Sequence, residues 1–173
     1  MACPYSKTVN EIETQIQTNW LGHFLFTNLL LQANVIPDGA HIVNVSSPAS
    51  EMYETRPYFH DLTYQDGKTY DPWVAYSVSK RANVLYTRSL AVKLKARNIA
   101  ILSLNPGSIR SPLQRYLNET QIQSGMKRMM EQNPNWKYPE RKSPKEGCST
   151  TLRAALDPSL AGRFPTARFE ISC

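Results

Sequence analysis

Tyr76 and Lys80 stand four residues apart in the run Tyr76-Ser77-Val78-Ser79-Lys80. If that run is helical, the two side chains share one face. An ammonium beside a phenol favours the phenolate, so the Tyr pKa would fall from about 10 toward neutrality, as a general acid/base requires. The spacing alone is weak evidence, because it occurs three times in the chain. Tyr64 and Lys68 straddle an Asp66-Gly67 turn and Tyr138 and Lys142 straddle Pro139, so only Tyr76 and Lys80 are placed to share a helical face. Taken by themselves they could equally be a surface tyrosine and a solvated lysine.

Two further segments could join them. Ile42-Val43-Asn44-Val45-Ser46-Ser47 is a β-rich run that ends in hydroxyls, and Asn105-Pro106-Gly107-Ser108-Ile109-Arg110-Ser111 follows a second such run. In an open parallel sheet both would leave at the carboxyl edge, where ligands bind. A serine there can orient a substrate carbonyl, although it can also do no more than finish a strand. Pro106-Gly107 gives a rigid turn that brings backbone donors close to a ligand, and it is also an ordinary turn signal. Asn19 interrupts an apolar helix where Leu would be expected, as a cap, a kink or the partner of a buried water.

The elements that must position these residues follow from periodicity and caps. Thr8-Val9-Asn10-Glu11 reads as a capping box that opens a helix, with Ile12, Ile16, Trp20 and Phe24 on an apolar face flanked by Leu21, Leu25 and Leu29. That width predicts a mostly buried helix ending before Pro37-Asp38-Gly39. His41 to Ser46 is a buried strand, and residues 48 to 71 form a long irregular loop. Asp71-Pro72 opens a helix running to about Arg97, with Val74, Val78, Ala82, Leu85, Leu90 and Leu94 as its core side. Ile99 to Leu104 is the next strand, and residues 112 to 142 are loop-rich and basic. Ser143-Pro144-Lys145-Glu146 caps a helix reaching about Leu156, and Ala167 to Ile171 is a third strand. The alternation predicts an α/β fold with a parallel sheet and right-handed crossovers, in one domain spanning residues 1–173.

Composition narrows the field. The longest apolar stretch, Trp20 to Leu31, is interrupted by Gly22, His23, Thr27 and Asn28, and falls short of a membrane span. Residues 1–7 do not read as a signal peptide. Cys3, Cys148 and Cys173 are odd in number and form no CxxC pair, which gives no metal site and suits a reducing, cytoplasmic setting. The net charge of +6 is unevenly spread: 3 basic and 8 acidic residues precede Lys80, and 17 basic and 6 acidic residues follow from it onward. No zinc-finger, RRM or KH pattern accompanies the basic half, so solvated helix faces are expected there and no nucleic-acid partner.

In combination the motifs resemble the short-chain dehydrogenase/reductase family. Gln17-Thr18-Asn19-Trp20-Leu21-Gly22-His23-Phe24 is similar to the family's Asn-bearing helix, and Ile42 to Ser47 to its strand ending in Ser. Tyr76 to Lys80 matches YxxxK, and Asn105 to Ser111 matches PGxxxT with Ser for Thr. The 28 residues between Ser47 and Tyr76 resemble the retinol-dehydrogenase-like branch. The resemblance implies the C-terminal half of a Rossmann-like, doubly wound parallel sheet of about three strands. It also implies hydride transfer between NADP or NAD, with NADP favoured, and a carbonyl or secondary alcohol. Tyr76 would be acid or base, Lys80 would lower its pKa and hold the nicotinamide ribose, and Ser47 would bind the substrate oxygen. Asn19 would order a water leading protons to Lys80. Pro106, Gly107, Ile109 and Ser111 would line the nicotinamide. Residues 112–142 would be a substrate lid whose Trp136, Tyr116, Met126, Met129 and Met130 suit an apolar substrate, a core role for the Met residues serving equally well, and the Asn19 and Tyr76 helices would make dimer contacts.

One family feature has no counterpart. The family's Gly-rich phosphate turn needs closely spaced glycines, and no two of the seven here lie closer than 15 residues. The expectation is therefore a truncated chain that binds the cofactor poorly alone. It could also be a non-catalytic remnant that pairs with a full-length relative.

Overall fold

The computed structural model describes residues 1–160. Two parallel strands, β1 (His41–Val45) and β2 (Ala100–Leu104), pair in register from His41 with Ala100 to Val45 with Leu104. The pleat sends Ile101, with Ile99 before it, toward one face and Leu102 and Leu104 toward the other. On the first face lie α1 (Thr14–Ile16), a π-helical turn (Gln17–Leu21), α2 (Gly22–Gln32) and α3 (Pro72–Lys93). On the second lie α5 (Pro144–Gly147) and α6 (Ser149–Leu156), where Ala154 and Leu160 pack on Leu102 and Leu104. The helix α4 (Glu119–Gln132) sits between the two halves of the lid segment. The third strand expected over Ala167 to Ile171 lies outside the described residues.

The strongest local signals fold as read. Asp71 Oδ1 accepts the Trp73 and Val74 amides at 2.8 and 2.9 Å, with Pro72 at the first helical position. Ser143 and Glu146 make the reciprocal capping box.

Four expectations are corrected. Thr8 does not cap a helix: Glu11 takes a positive φ of 58°, and the chain turns before Glu13, whose carboxylate accepts the Gln15 and Ile16 amides at 2.8 Å each. Glu13 is fully buried and outcompetes Thr8 because it offers two acceptor oxygens beside the first apolar turn. The α2 helix is not mostly buried, since Leu25, Phe26 and Leu29 are 56, 63 and 52% exposed, and Leu85 of α3 is exposed as well. Their apolar side faces away from the sheet, which periodicity cannot distinguish from the core side. Helix α3 stops at Lys93, followed by one tighter turn and a left-handed Asn98. Residues 112–142 are less irregular than expected, because α4 is held by a capping box of Asn118 and Gln121.

Candidate active site

The carboxyl ends of β1 and β2 and the first three turns of α3 bring most of the expected residues together. Tyr76 is 4% exposed and packs with Ala49 and Met52. Its phenol lies near the Ser47 hydroxyl, which caps the short turn after β1 by accepting the Ala49 amide at 3.2 Å. One helical turn on, the Lys80 ammonium lies 5.8 Å from the Tyr76 ring centroid and donates to the Val45 carbonyl at 3.0 Å. Ser46 Oγ returns a bond to the Lys80 carbonyl at 2.9 Å, so the strand end and the helix are sewn together in both directions.

Asn19 enters through the π turn. There the ladder widens to five residues, Gly22 N–H reaching the Gln17 carbonyl. The Asn19 amide donates to Ser79 Oγ at 3.0 Å, and Ser79 Oγ donates to the Tyr76 carbonyl at 2.7 Å. The Asn19 carbonyl accepts from Asn83 Nδ2 at 3.0 Å, and the same amide reaches the Val45 carbonyl at 3.4 Å. Asn83 thus links the π turn to the carbonyl that holds Lys80. Ser79, Asn83 and Thr87 were not singled out from the sequence, yet they form a buried polar stripe at spacing four on α3. Thr87 completes it by accepting from Asn44 Nδ2 of β1 at 2.9 Å. That stripe, polar where a helix facing a sheet should be apolar, is the signal that could have found them.

The electrostatics differ from expectation. Burial pushes the Tyr76 phenol above its ordinary value, with the nearby Ser47 hydroxyl pulling the other way. Burial also pushes the Lys80 ammonium below its ordinary value. The expected fall of the Tyr76 pKa is not what this arrangement gives, because the ammonium is itself desolvated and directed at the Val45 carbonyl.

The turn after β2 leaves the same sheet edge. Asn105 Oδ1 accepts the Gly107 amide at 3.0 Å, and Gly107 has a φ of +85° that a side chain would strain. Lys142 bridges to this turn by donating to the Ser108 carbonyl at 2.8 Å and accepting from the Arg110 amide at 3.0 Å, leaving the Ile109 N–H and carbonyl outside that bridge. The Ile109 side chain packs on Gly147, where a methyl group would come within 2.3 Å of it. Ser111 caps the next turn, accepting the Leu113 amide at 3.4 Å. Behind Trp73 and Met52, which both pack on Tyr76, a cavity of about 110 Å³ opens under α4, with Ile122, Met126 and Met129 in its wall and Tyr76 itself outside it. Trp136 and Tyr138 line it too, whereas Tyr116 stacks under Arg115 at the surface and Met130 points outward.

These residues fit part of a nicotinamide cofactor. The Tyr76 hydroxyl and the Lys80 ammonium lie at the carboxyl end of β1, and the turn carrying Ile109 follows the carboxyl end of its neighbour β2, the edge where such a cofactor would lie. No closely spaced glycines offer a pyrophosphate cradle.

Residues 65–122 match the model of the short chain dehydrogenase family. Human retinol dehydrogenase 12 is 39% identical over 162 residues, covering 92% of this chain and 46% of its own length. A short-chain dehydrogenase/reductase, prx1 of Penicillium roqueforti, is 34% identical over 168 residues, or 94% of this chain and 46% of its own. The chain therefore spans about half the length of these relatives. Among solved structures, a protein from Mycobacterium paratuberculosis superposes with a TM-score of 0.55 at 30% identity, covering 92% of this chain and 62% of that one. A short chain dehydrogenase family protein from Francisella tularensis superposes at 0.56 over 94% of this chain and 64% of its own; at 20% identity it supports the fold alone.

Proposed function

Because the chain belongs to the short-chain dehydrogenase/reductase family, in its retinol-dehydrogenase-like branch, we propose that it carries the proton-handling and substrate-binding part of an oxidoreductase. The substrate is a small apolar carbonyl compound or secondary alcohol. The observation that carries this reading is the buried Tyr76 phenol near the Ser47 hydroxyl at the end of β1, with Lys80 one turn away and an apolar cavity behind Trp73 and Met52.

A nicotinamide cofactor, when bound, supplies or accepts the hydride. Ser47 and Tyr76 each offer a hydroxyl to the substrate oxygen, and the two bonds together fix its position. Burial favours the protonated Tyr76 phenol, so it is set to donate its proton to a carbonyl oxygen during reduction, whereas alcohol oxidation must start from the phenolate and should be favoured by higher pH. Lys80, which donates to the Val45 carbonyl, would hold the ribose hydroxyls of the cofactor. Asn19 acts through Ser79 and Asn83 by fixing α3 against the strand end, and the Asn83 amide occupies its carbonyl. Pro106, Gly107, Ile109 and Ser111 line the carboxamide side. NADPH is the first cofactor to test, followed by NADH. The free thiols of Cys3 and Cys148 suit a reducing compartment such as the cytosol.

The test joins the chain to the Gly-rich half of a relative and follows oxidation of NADPH or NADH by apolar aldehydes. Turnover should appear, with Tyr64→Phe as the control that retains it. Absence of turnover with every aldehyde and both cofactors would refute the reading. The 173-residue chain by itself should bind NADPH about three powers of ten more weakly than the fusion, having lost several charge-assisted hydrogen bonds to the pyrophosphate. A low-micromolar dissociation constant for the chain alone would contradict this.

A second reading, a pairing module, is favoured by the exposed Leu25, Phe26 and Leu29 on α2 and Leu85 and Val92 on α3. Burying such a face would drive dimerisation. Sedimentation should then show a dimer that Phe26→Glu dissociates, and a monomer at all concentrations would remove this reading.

A further inference from the structure

Trp73 joins the chemistry-bearing helix to the lid. Its indole Nε1–H donates to the Gln121 carbonyl of α4 at 2.8 Å. Its benzene edge lies in a notch at Gly125, where an added Cβ would come within 2.7 Å of Cζ2 and 2.9 Å of Cε2. Gly125 is buried inside an amphipathic helix, a position where glycine costs about 1 kcal/mol relative to alanine, so the notch must return something in packing. On its other side the Trp73 ring meets the Tyr76 ring edge-on, with centroids 6.2 Å apart. The indole is thus a partition, touching the lid on one face and the reacting tyrosine on the other.

We propose that Trp73, seated in the Gly125 notch, sets the size of the apolar group this site accepts. The inference deepens the oxidoreductase reading by giving the shape of the substrate. The cavity that Trp73 walls holds about 110 Å³. That is somewhat smaller than a cavity of ~150 Å³ able to hold benzene, so it takes an apolar end of about four or five carbons. Its wall of Met52, Ile122, Met126 and Met129 offers dispersion contacts and little polarity. The hydrogen bond to Gln121 fixes the lid height, and the close fit at Gly125 prevents the ring from tilting away to admit more.

The experiment titrates the 173-residue chain with straight-chain primary alcohols from butan-1-ol to decan-1-ol and follows the indole N–H resonances. Trp136 lines the same cavity and reports in every variant. Trp20, packed on the far side of α3, is the internal control. Each added methylene should tighten binding about fourfold until the cavity is full, after which the gain should flatten. In the wild type the break falls near five carbons. In Trp73→Ala it moves two or more carbons longer. In Gly125→Ala, which crowds the indole, it moves shorter, so the inference remains testable if Trp73→Ala does not fold. A break at the same chain length in wild type and variants, or a Trp136 resonance that no alcohol moves, would overturn the assignment. The titration involves neither cofactor nor turnover. A shifted break in a protein whose fusion never turns over would refute the proposed reaction alone, and turnover with an unshifted break would refute the role of Trp73 alone.

Discussion

The strand-end cluster and the lid that covers it are built on opposite terms. In the cluster, Ser79, Asn83 and Thr87 are nearly inaccessible, and each polar group bonds to a strand or to the π turn. In the lid, α4 has one buried residue, Gly125, and rests on the cluster through the Trp73 indole, Met129 and the stacking of Arg128 on Tyr53. A satisfied buried network has one arrangement and resists displacement. A mostly exposed helix held by a few side-chain contacts sets its height through the Trp73 seat and can be re-set by changing that seat. The difference teaches that proton handling sits on the rigid part and substrate choice on the adaptable one.

Lys80→Met should separate the two regions most sharply. Turnover in the fusion should fall by two or more powers of ten. Stability should rise, because Lys80 is a half-buried cation that meets a backbone carbonyl and no carboxylate partner among the described residues. Replacing it with an apolar side chain should raise the melting temperature by about 2 to 4 °C near pH 7. The sign follows from proton binding. With its folded pKa lowered, Lys80 binds fewer protons in the folded than in the unfolded chain, so wild-type stability increases with pH up to about 10.4. The advantage of Lys80→Met should therefore shrink over that window. Melting curves at pH 7 and pH 10 with an unchanged difference would place Lys80 in solvent.

Asn83→Ala should act on both properties in the same direction. It leaves the Asn19 carbonyl without its amide partner and removes a second donor from the Val45 carbonyl, at a cost of about 1 to 3 kcal/mol in urea denaturation. Turnover should drop about tenfold with little change in KM. A neutral effect on stability would mean that the polar stripe does not organise the cluster.

The smallest effect belongs to the lid. Asn118→Ala removes the cap of α4 and should cost about 1 kcal/mol of local helix stability. Hydrogen exchange should speed up over the first turn of α4 and remain unchanged over α3. Faster exchange in both helices would show that the lid and the cluster unfold as one unit.

The cluster was also the more legible region, for a physical reason. Asp71-Pro72 and Ser143-Pro144-Lys145-Glu146 act within a few residues of themselves, so their structure is written locally. Tyr76 and Lys80 then follow from helical spacing, and Ser47 from the end of a β-rich run. What escaped depends on contacts between distant segments. Thr8 met the pattern of a cap, but Tyr70, itself held by Gln15, supports Glu13 from across the chain. Helix α4 is rich in polar residues, and its few apolar ones, Ile122, Met126 and Met129, gain meaning only against Trp73 and Met52. The Tyr76 pKa could not be read from spacing, because it depends on burial and on where the Lys80 ammonium points.

The central claim is that Ser47 and Tyr76 act on one substrate oxygen as a unit, and a double-mutant cycle in turnover tests it most directly. Ser47→Ala, Tyr76→Phe and the combined variant would be compared in the fusion with NADPH and an apolar aldehyde. Members of one catalytic constellation are not additive. Tyr76→Phe should lose about a hundredfold or more in kcat/KM, and adding Ser47→Ala should lower it no more than a fewfold further. Multiplicative losses, or near-full turnover in Tyr76→Phe, would contradict the account.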